Sequence, residues 1–197
     1  MKSSIIRLAL TIVIVILGYF VFTSIKEPLK FEKELRSRNK EVIAKLSDIR
    51  TSELLFKKFN NRYTRSFDTL IEFMENCKIP VIKLVADTMD AAFSKPVSDT
   101  IGFISLSDSI FGEKYKLENI AIVPFSLGAK FLLNAGRIDK DGISIAVFEA
   151  STPYDVYLKG LDKRRIISLV QELNAKNKFP GLKVGSLNEA TTAGNWE

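Results

Sequence analysis

The sequence predicts an α+β protein in which an N-terminal transmembrane helix continues into a long charged helix, followed by one small domain with an antiparallel sheet and a C-terminal helix. Three observations predict it. Leu8 to Ile25 is an uncharged apolar run. Leu35, Val42, Ile49 and Phe56 then recur every seven residues in a strongly charged setting. Two apolar segments further on, Lys130–Ile138 and Ile143–Ala150, flank an Asp141-Gly142 pair, a strong hairpin signal.

The apolar run holds eighteen residues, which as a helix is about 27 Å long, close to the thickness of a bilayer's hydrocarbon core. Only a helix satisfies its own backbone in lipid. Tyr19 and Phe20 fall late in the run, where an aromatic belt forms. The residues after it, Val21-Phe22-Thr23-Ser24-Ile25-Lys26, lack the small-x-small pattern of a cleavage site, so the run reads as an uncleaved anchor. Lys2 and Arg7 precede it, while seven Lys and Arg follow from Lys26 to Lys45. Counted alone, those charges hold the following domain on the cytoplasmic side. The short basic start is that of a signal-anchor, and the acidic residues Glu27, Glu32, Glu34 and Glu41 interleave the cations beyond it. The expected arrangement is therefore a membrane crossed once, with the domain on the non-cytoplasmic side.

The expected divisions are a basic tail at 1–7, the anchor at 8–25, a basic helical stalk at 26–60 and a single α+β domain at 61–197. Pro28 is expected to break or kink the helix as it leaves the membrane. Beyond it the Leu35/Val42/Ile49/Phe56 line has a polar companion in Arg38, Lys45 and Ser52. Half a seam suits a helix leaning on its own domain or on a membrane partner. Residues 26–65 hold twelve Lys and Arg against six acidic residues, whereas the remainder of the chain beyond them is slightly acidic. The net charge of +6 thus resides near the membrane, where it suits anionic headgroups or a solvated helix face.

Asn60–Ser66 is rich in turn formers, and Ser66 is placed to cap a helix over Phe67–Asn76. Cys77 then stands where that helix gives way to a strand. Pro80–Val85 reads as a strand, or as the start of a helix reaching Phe93. Thr100–Leu106 has strand character, with a turn at Asp108–Gly112. Ile120–Phe125 reads as a short strand ending at proline. Asp162 is positioned to cap a helix to about Asn177, with Ile166, Ile167, Val170 and Leu173 on one face. Leu182–Leu187 is expected to be the last strand.

The chain contains no histidine and a single cysteine. A His-based triad, a His-containing zinc site and an intrachain disulfide are therefore excluded, and acid–base work would fall to carboxylates or lysines tuned by burial. No catalytic, cofactor-binding or metal-binding set is expected. Gly181–Gly185 lacks the spacing of a phosphate loop, and Asp139–Gly142 is far shorter than a calcium loop. Lys163-Arg164-Arg165 opens a helix, where cations are disfavoured, and suits an acidic partner, a headgroup or plain solvent. Trp196 is expected to be pinned into the domain or offered to a partner.

Two resemblances add to this. Asp48–Glu53, Phe56-Lys57, Asn61–Thr64 and Phe67–Leu70 resemble the helix-to-turn passage of bacterial pseudopilins and type IV pilin-like proteins, which also run an apolar helix into a small-sheet domain. The apolar run here lacks their Gly-Phe junction and early acidic residue, so pilin-type processing and polymerisation are not implied. Val156–Asp162 and Phe179–Leu187 are similar to an uncharacterised family of single-span envelope proteins of Bacteroidota, which implies an inner-membrane location and no activity.

The expected function is a non-catalytic envelope component that assembles or scaffolds through lateral contacts with other envelope proteins or with itself, anchored in membrane lipid. Those contacts are assigned to Leu35, Val42, Ile49 and Phe56, with Lys57, Lys58, Arg62 and Arg65 beside them. One alternative is a tethered ligand-binding or enzymatic domain, which would gather several of Asp139, Asp141, Glu149, Asp155 and Lys159 in a deep pocket. Nucleic acid is not an expected partner. Binding it through Lys57, Lys58, Arg62 and Arg65 would require a cytoplasmic domain and marked salt sensitivity.

Overall fold

The computed structural model describes residues 2–86 and 96–197. One helix, α1 (Lys2–Asn60), occupies the first third of the chain. Its apolar end is long and oily enough to cross a membrane. Every large apolar side chain described between Leu10 and Phe22 is exposed. The hydroxyls of Thr11 and Thr23 bond back to the carbonyls of Arg7 and Tyr19, so that neither needs an outside partner.

Pro28 lies inside α1 without interrupting it. The expected break is therefore absent. Proline removes a single backbone donor, and the helix on either side is long enough to absorb that loss.

The second half of α1 belongs to the domain. Val42, Leu46, Ile49 and Phe56 are buried, and Leu35 is packed against the same cluster. Their spacing makes an apolar stripe that lies against the β-sheet and against α2 (Phe67–Asn76). Ser66 caps α2 as its sequence indicates, accepting from the Thr69 N–H. Phe67, Leu70 and Met74 form the buried face of α2. Phe73 meets Phe56 edge-on at 5.1 Å between ring centres, and Cys77 ends the helix.

Two antiparallel sheets follow. In the first, β1 (Lys78–Ala86) pairs with β2 (Pro96–Ser105), from Lys78↔Ser105 to Ala86↔Pro96. This decides the Pro80–Val85 ambiguity for a strand, while Phe93 lies outside the described residues. The second sheet has the order β3-β4-β5, from β3 (Leu132–Lys140), β4 (Ile143–Pro153) and β5 (Gly181–Gly185). Asp141 and Gly142 make its tight turn, both at positive φ (56° and 78°), as the sequence pair predicts. The turn is fastened by the Gly142 N–H donating to Asp139 Oδ1 at 3.0 Å.

Four local expectations are corrected. The turn at Asp108–Gly112 is a short helix, α3 (Leu106–Phe111), capped by the Ser105 hydroxyl accepting from the Asp108 N–H. Ile120–Phe125 is not a strand: Leu117–Ala121 forms a 3-10 turn that buries Leu117 and Ile120, and only an isolated bridge joins Ile122 to Lys130. A short apolar run carries no period to separate these outcomes. The helix capped by Asp162, α5 (Lys163–Ala175), turns Ile166 and Leu169 inward and leaves Ile167 exposed. The last strand stops at Gly185, whose φ of 74° bends the chain away.

The core brings these pieces together. Phe148, Ala150, Leu182 and Val184 from the sheet meet the α1 stripe, along with Tyr157 from the single-turn helix α4 (Tyr154–Tyr157). Trp196 packs against this core, its ring lying directly over Gly194, so the pinned reading holds.

Candidate interaction site

Polar positions on α1 also turn toward the domain. Arg38 donates to the carbonyls of Tyr157 (2.8 Å) and Lys159 (2.9 Å), and its guanidinium lies over the Phe125 ring. Lys45 donates to the Tyr115 hydroxyl, and Ser52 is fully buried. Arg38 and Lys45 are therefore fastenings to the domain, while the Ser52 hydroxyl bonds back to the Asp48 carbonyl of its own helix. An amphipathic side chain can bury its stem while its polar end meets a carbonyl or hydroxyl.

The expected contact residues separate into two groups. Val42, Ile49 and Phe56 are buried in the core and Leu35 is packed against it. The line is consumed by the domain itself, so lateral contact through it would require the domain to open. The basic residues remain outside. Lys58, Arg62 and Arg65 are exposed, and Lys57 lies over the Tyr63 ring at 4.8 Å.

Arg62 and Arg65 line a groove of about 500 Å³ with Tyr63, Thr64, Ser66, Thr69 and the Ala135–Arg137 segment of β3. The groove forms because the turn after α1 folds back, bringing the start of α2 against the outer edge of β3. Arg65 Nε donates to the Ala135 carbonyl at 2.6 Å. Thr64 stiffens the turn: its hydroxyl accepts from the Ser66 N–H. Arg137, seventy-two residues from Arg65 in sequence, supplies a third guanidinium. No carboxylate lies within 4.0 Å of Arg62, Arg65 or Arg137 among the described residues. Three clustered cations without counter-charges form a site suited to an anionic group.

Behind the groove wall lies Glu53, fully buried. Its Oε2 accepts from the Thr64 N–H at 3.1 Å, while Oε1 has no partner among the described residues. Burial pushes its carboxyl up to about 8, only partly offset by the Thr64 bond, so at neutral pH it is mostly protonated. It therefore contributes little negative charge to the groove. Glu53 follows Ile49 by four residues and precedes Phe56 by three. That spacing is the sequence signal for its burial.

The carboxylates of the alternative pocket do not gather. Asp139 and Asp141 are at the hairpin tip, and Glu149 is paired with Lys183 at 3.0 Å. The ladder places Asp139 opposite Ser144, about 17 Å along β4 from Glu149. Asp155 lies in α4, with Lys159 just beyond it. Of the Lys163–Arg165 triplet, Arg165 reaches Asp162 at 3.5 Å and lies near the Phe31 ring of α1.

No protein-family model matches this sequence, and no curated protein or solved structure matches it either.

Proposed function

We propose that the chain is a single-span protein of the bacterial inner membrane, with its domain on the non-cytoplasmic side. In this reading it acts without catalysis, as an assembly or scaffolding subunit whose contacts are made by the basic end of the domain. The observation that carries the reading is the continuity of α1. One unbroken helix presents an exposed apolar face from Leu10 to Phe22 and a buried apolar stripe from Val42 to Phe56. A helix continuous between lipid and core is a strut, which holds the basic groove about 50 Å beyond Ile25. A bilayer-confined strut raises the effective concentration of weak contacts made at its far end. The absence of histidine from the sequence and the unopposed charge of the groove agree with a binding role.

Fractionation and crosslinking test this. The full chain is expected to stay in membranes through alkaline carbonate and to leave them only in detergent. A photoreactive residue at Arg62 is expected to capture a protein partner in intact cells, whereas the same residue at Ser168, beside Glu27 and Phe31 near the apolar end of α1, captures none. With Cys77→Ser as background, a cysteine at Asp141 is expected to react with a membrane-impermeant reagent. A carbonate-soluble chain, or equal capture at both positions, would overturn the reading.

A further inference from the structure

The edge of β3 gives the groove a more specific occupant. Asp141-Gly142 is a two-residue turn, so Lys140 and Ile143 close the ladder as a hydrogen-bonded pair. Even-numbered residues of β3 therefore direct their backbone groups to β4, and odd-numbered ones direct theirs outward. β3 is the outer strand of its sheet, with nothing paired beyond it among the described residues. The outward Ala135 carbonyl is occupied by Arg65. The outward groups of Arg137 and Asp139 have no protein partner among the described residues. A free strand edge thus begins where the three arginines converge.

We propose that this groove receives an extended acidic segment of a partner polypeptide, which pairs with β3 at Arg137 and Asp139 while its carboxylates engage Arg62, Arg65 and Arg137. Main-chain bonds to the edge supply a register, and the guanidinium groups select charge. The Asp139 carboxylate accepts the Gly142 N–H at the far end of the edge, so the occupant's acidic residues sit at the Arg62/Arg65 end. A nucleic acid offers no alternating main-chain donors and acceptors for a strand edge. Lipid headgroups lie too far away if α1 is anchored as above, and the proposal names the partner class for that contact reading.

The test uses the full chain in detergent micelles, so it does not depend on membrane insertion. A random twelve-residue peptide display library is panned against it. Enriched peptides are expected to carry two or more Asp or Glu at alternate positions. The best of them, made synthetically, is expected to bind at least about tenfold more weakly to Arg62→Gln and to Arg137→Gln, the loss of one charged hydrogen bond. Both substituted residues are exposed, and unchanged circular dichroism checks the fold. Methylating the peptide's backbone nitrogens is expected to weaken binding by a similar factor. Enrichment without acidic bias, or affinity indifferent to both arginines, overturns the proposal. Undiminished binding after methylation overturns strand addition, and displacement by equimolar inorganic phosphate would show a small-anion site instead.

Discussion

The Tyr115 hydroxyl donates to the Asp48 carboxylate at 2.6 Å, and Lys45 of the same helix donates to that hydroxyl at 3.0 Å. One phenol thereby ties the segment after α3 to two successive turns of α1. Burial, with the Asp48 contact adding to it, raises the phenol above its ordinary range, so it remains a donor at any working pH. Tyr115→Phe is expected to cost about 1–2 kcal/mol, because it leaves the half-buried Asp48 without its donor. Denaturant titration of the detergent-solubilised chain measures this; an unchanged midpoint would mean that the contact contributes nothing.

Glu53 makes stability depend on pH. Its carboxyl holds a proton up to about 8 in the folded chain, against an ordinary value of 4.5. Between those values the unfolded chain has released a proton that the folded one keeps. Stability therefore falls as pH rises through the window and levels off above it, with a total on the order of a few kcal/mol. Glu53→Gln is expected to remove that decline and to be the more stable chain at pH 8. Melting temperatures at pH 5 and pH 8 decide it, and parallel behaviour of the two chains would refute it.

The hydrophobic line of α1 can be assigned to core or surface by paired truncations. Ile49 is fully buried, and Leu54, on the opposite face, is 42% exposed. Ile49→Ala is expected to cost about 2–5 kcal/mol, and Leu54→Ala less than about 1 kcal/mol. Equal, small losses would return the line to the surface.

Gly185, at the end of β5, combines a positive φ with a close backbone approach. Its φ is 74°, and an added Cβ would stand 2.3 Å from the Phe148 carbonyl oxygen. Gly185→Ala is expected to cost more than about 2 kcal/mol, because strain and overlap act together. Gly142→Ala has the strained φ without the overlap, and is expected to cost less by the same unfolding assay.

Much of the fold could be read from local signals. Ser66 and Asp162 announced their helices by capping chemistry, Asp141-Gly142 its hairpin by φ preference, and Cys77 the passage from helix to strand. Each of these depends on neighbours within a few residues. Leu117–Ala121 was not legible, because its conformation follows from where Leu117 and Ile120 are buried. The groove was half legible. Arg62 and Arg65 are marked by sequence as contact residues beyond the end of the apolar line, but nothing near Arg137 reveals that β3 lies beside them. Arg38 and Lys45 look like a solvated face until the carbonyls and the hydroxyl that meet them are known.

The uninterrupted passage of α1 through Pro28 fixes an azimuth as well as a height. Adding one residue between Lys26 and Glu34 would swing the whole domain by about 100° around the helix axis, while adding four would return it to within roughly 40° of its original heading. Any neighbour that must meet Arg62 and Arg137 while fixed relative to the apolar segment would therefore register insertions by their helical phase, tolerating some lengths and rejecting others.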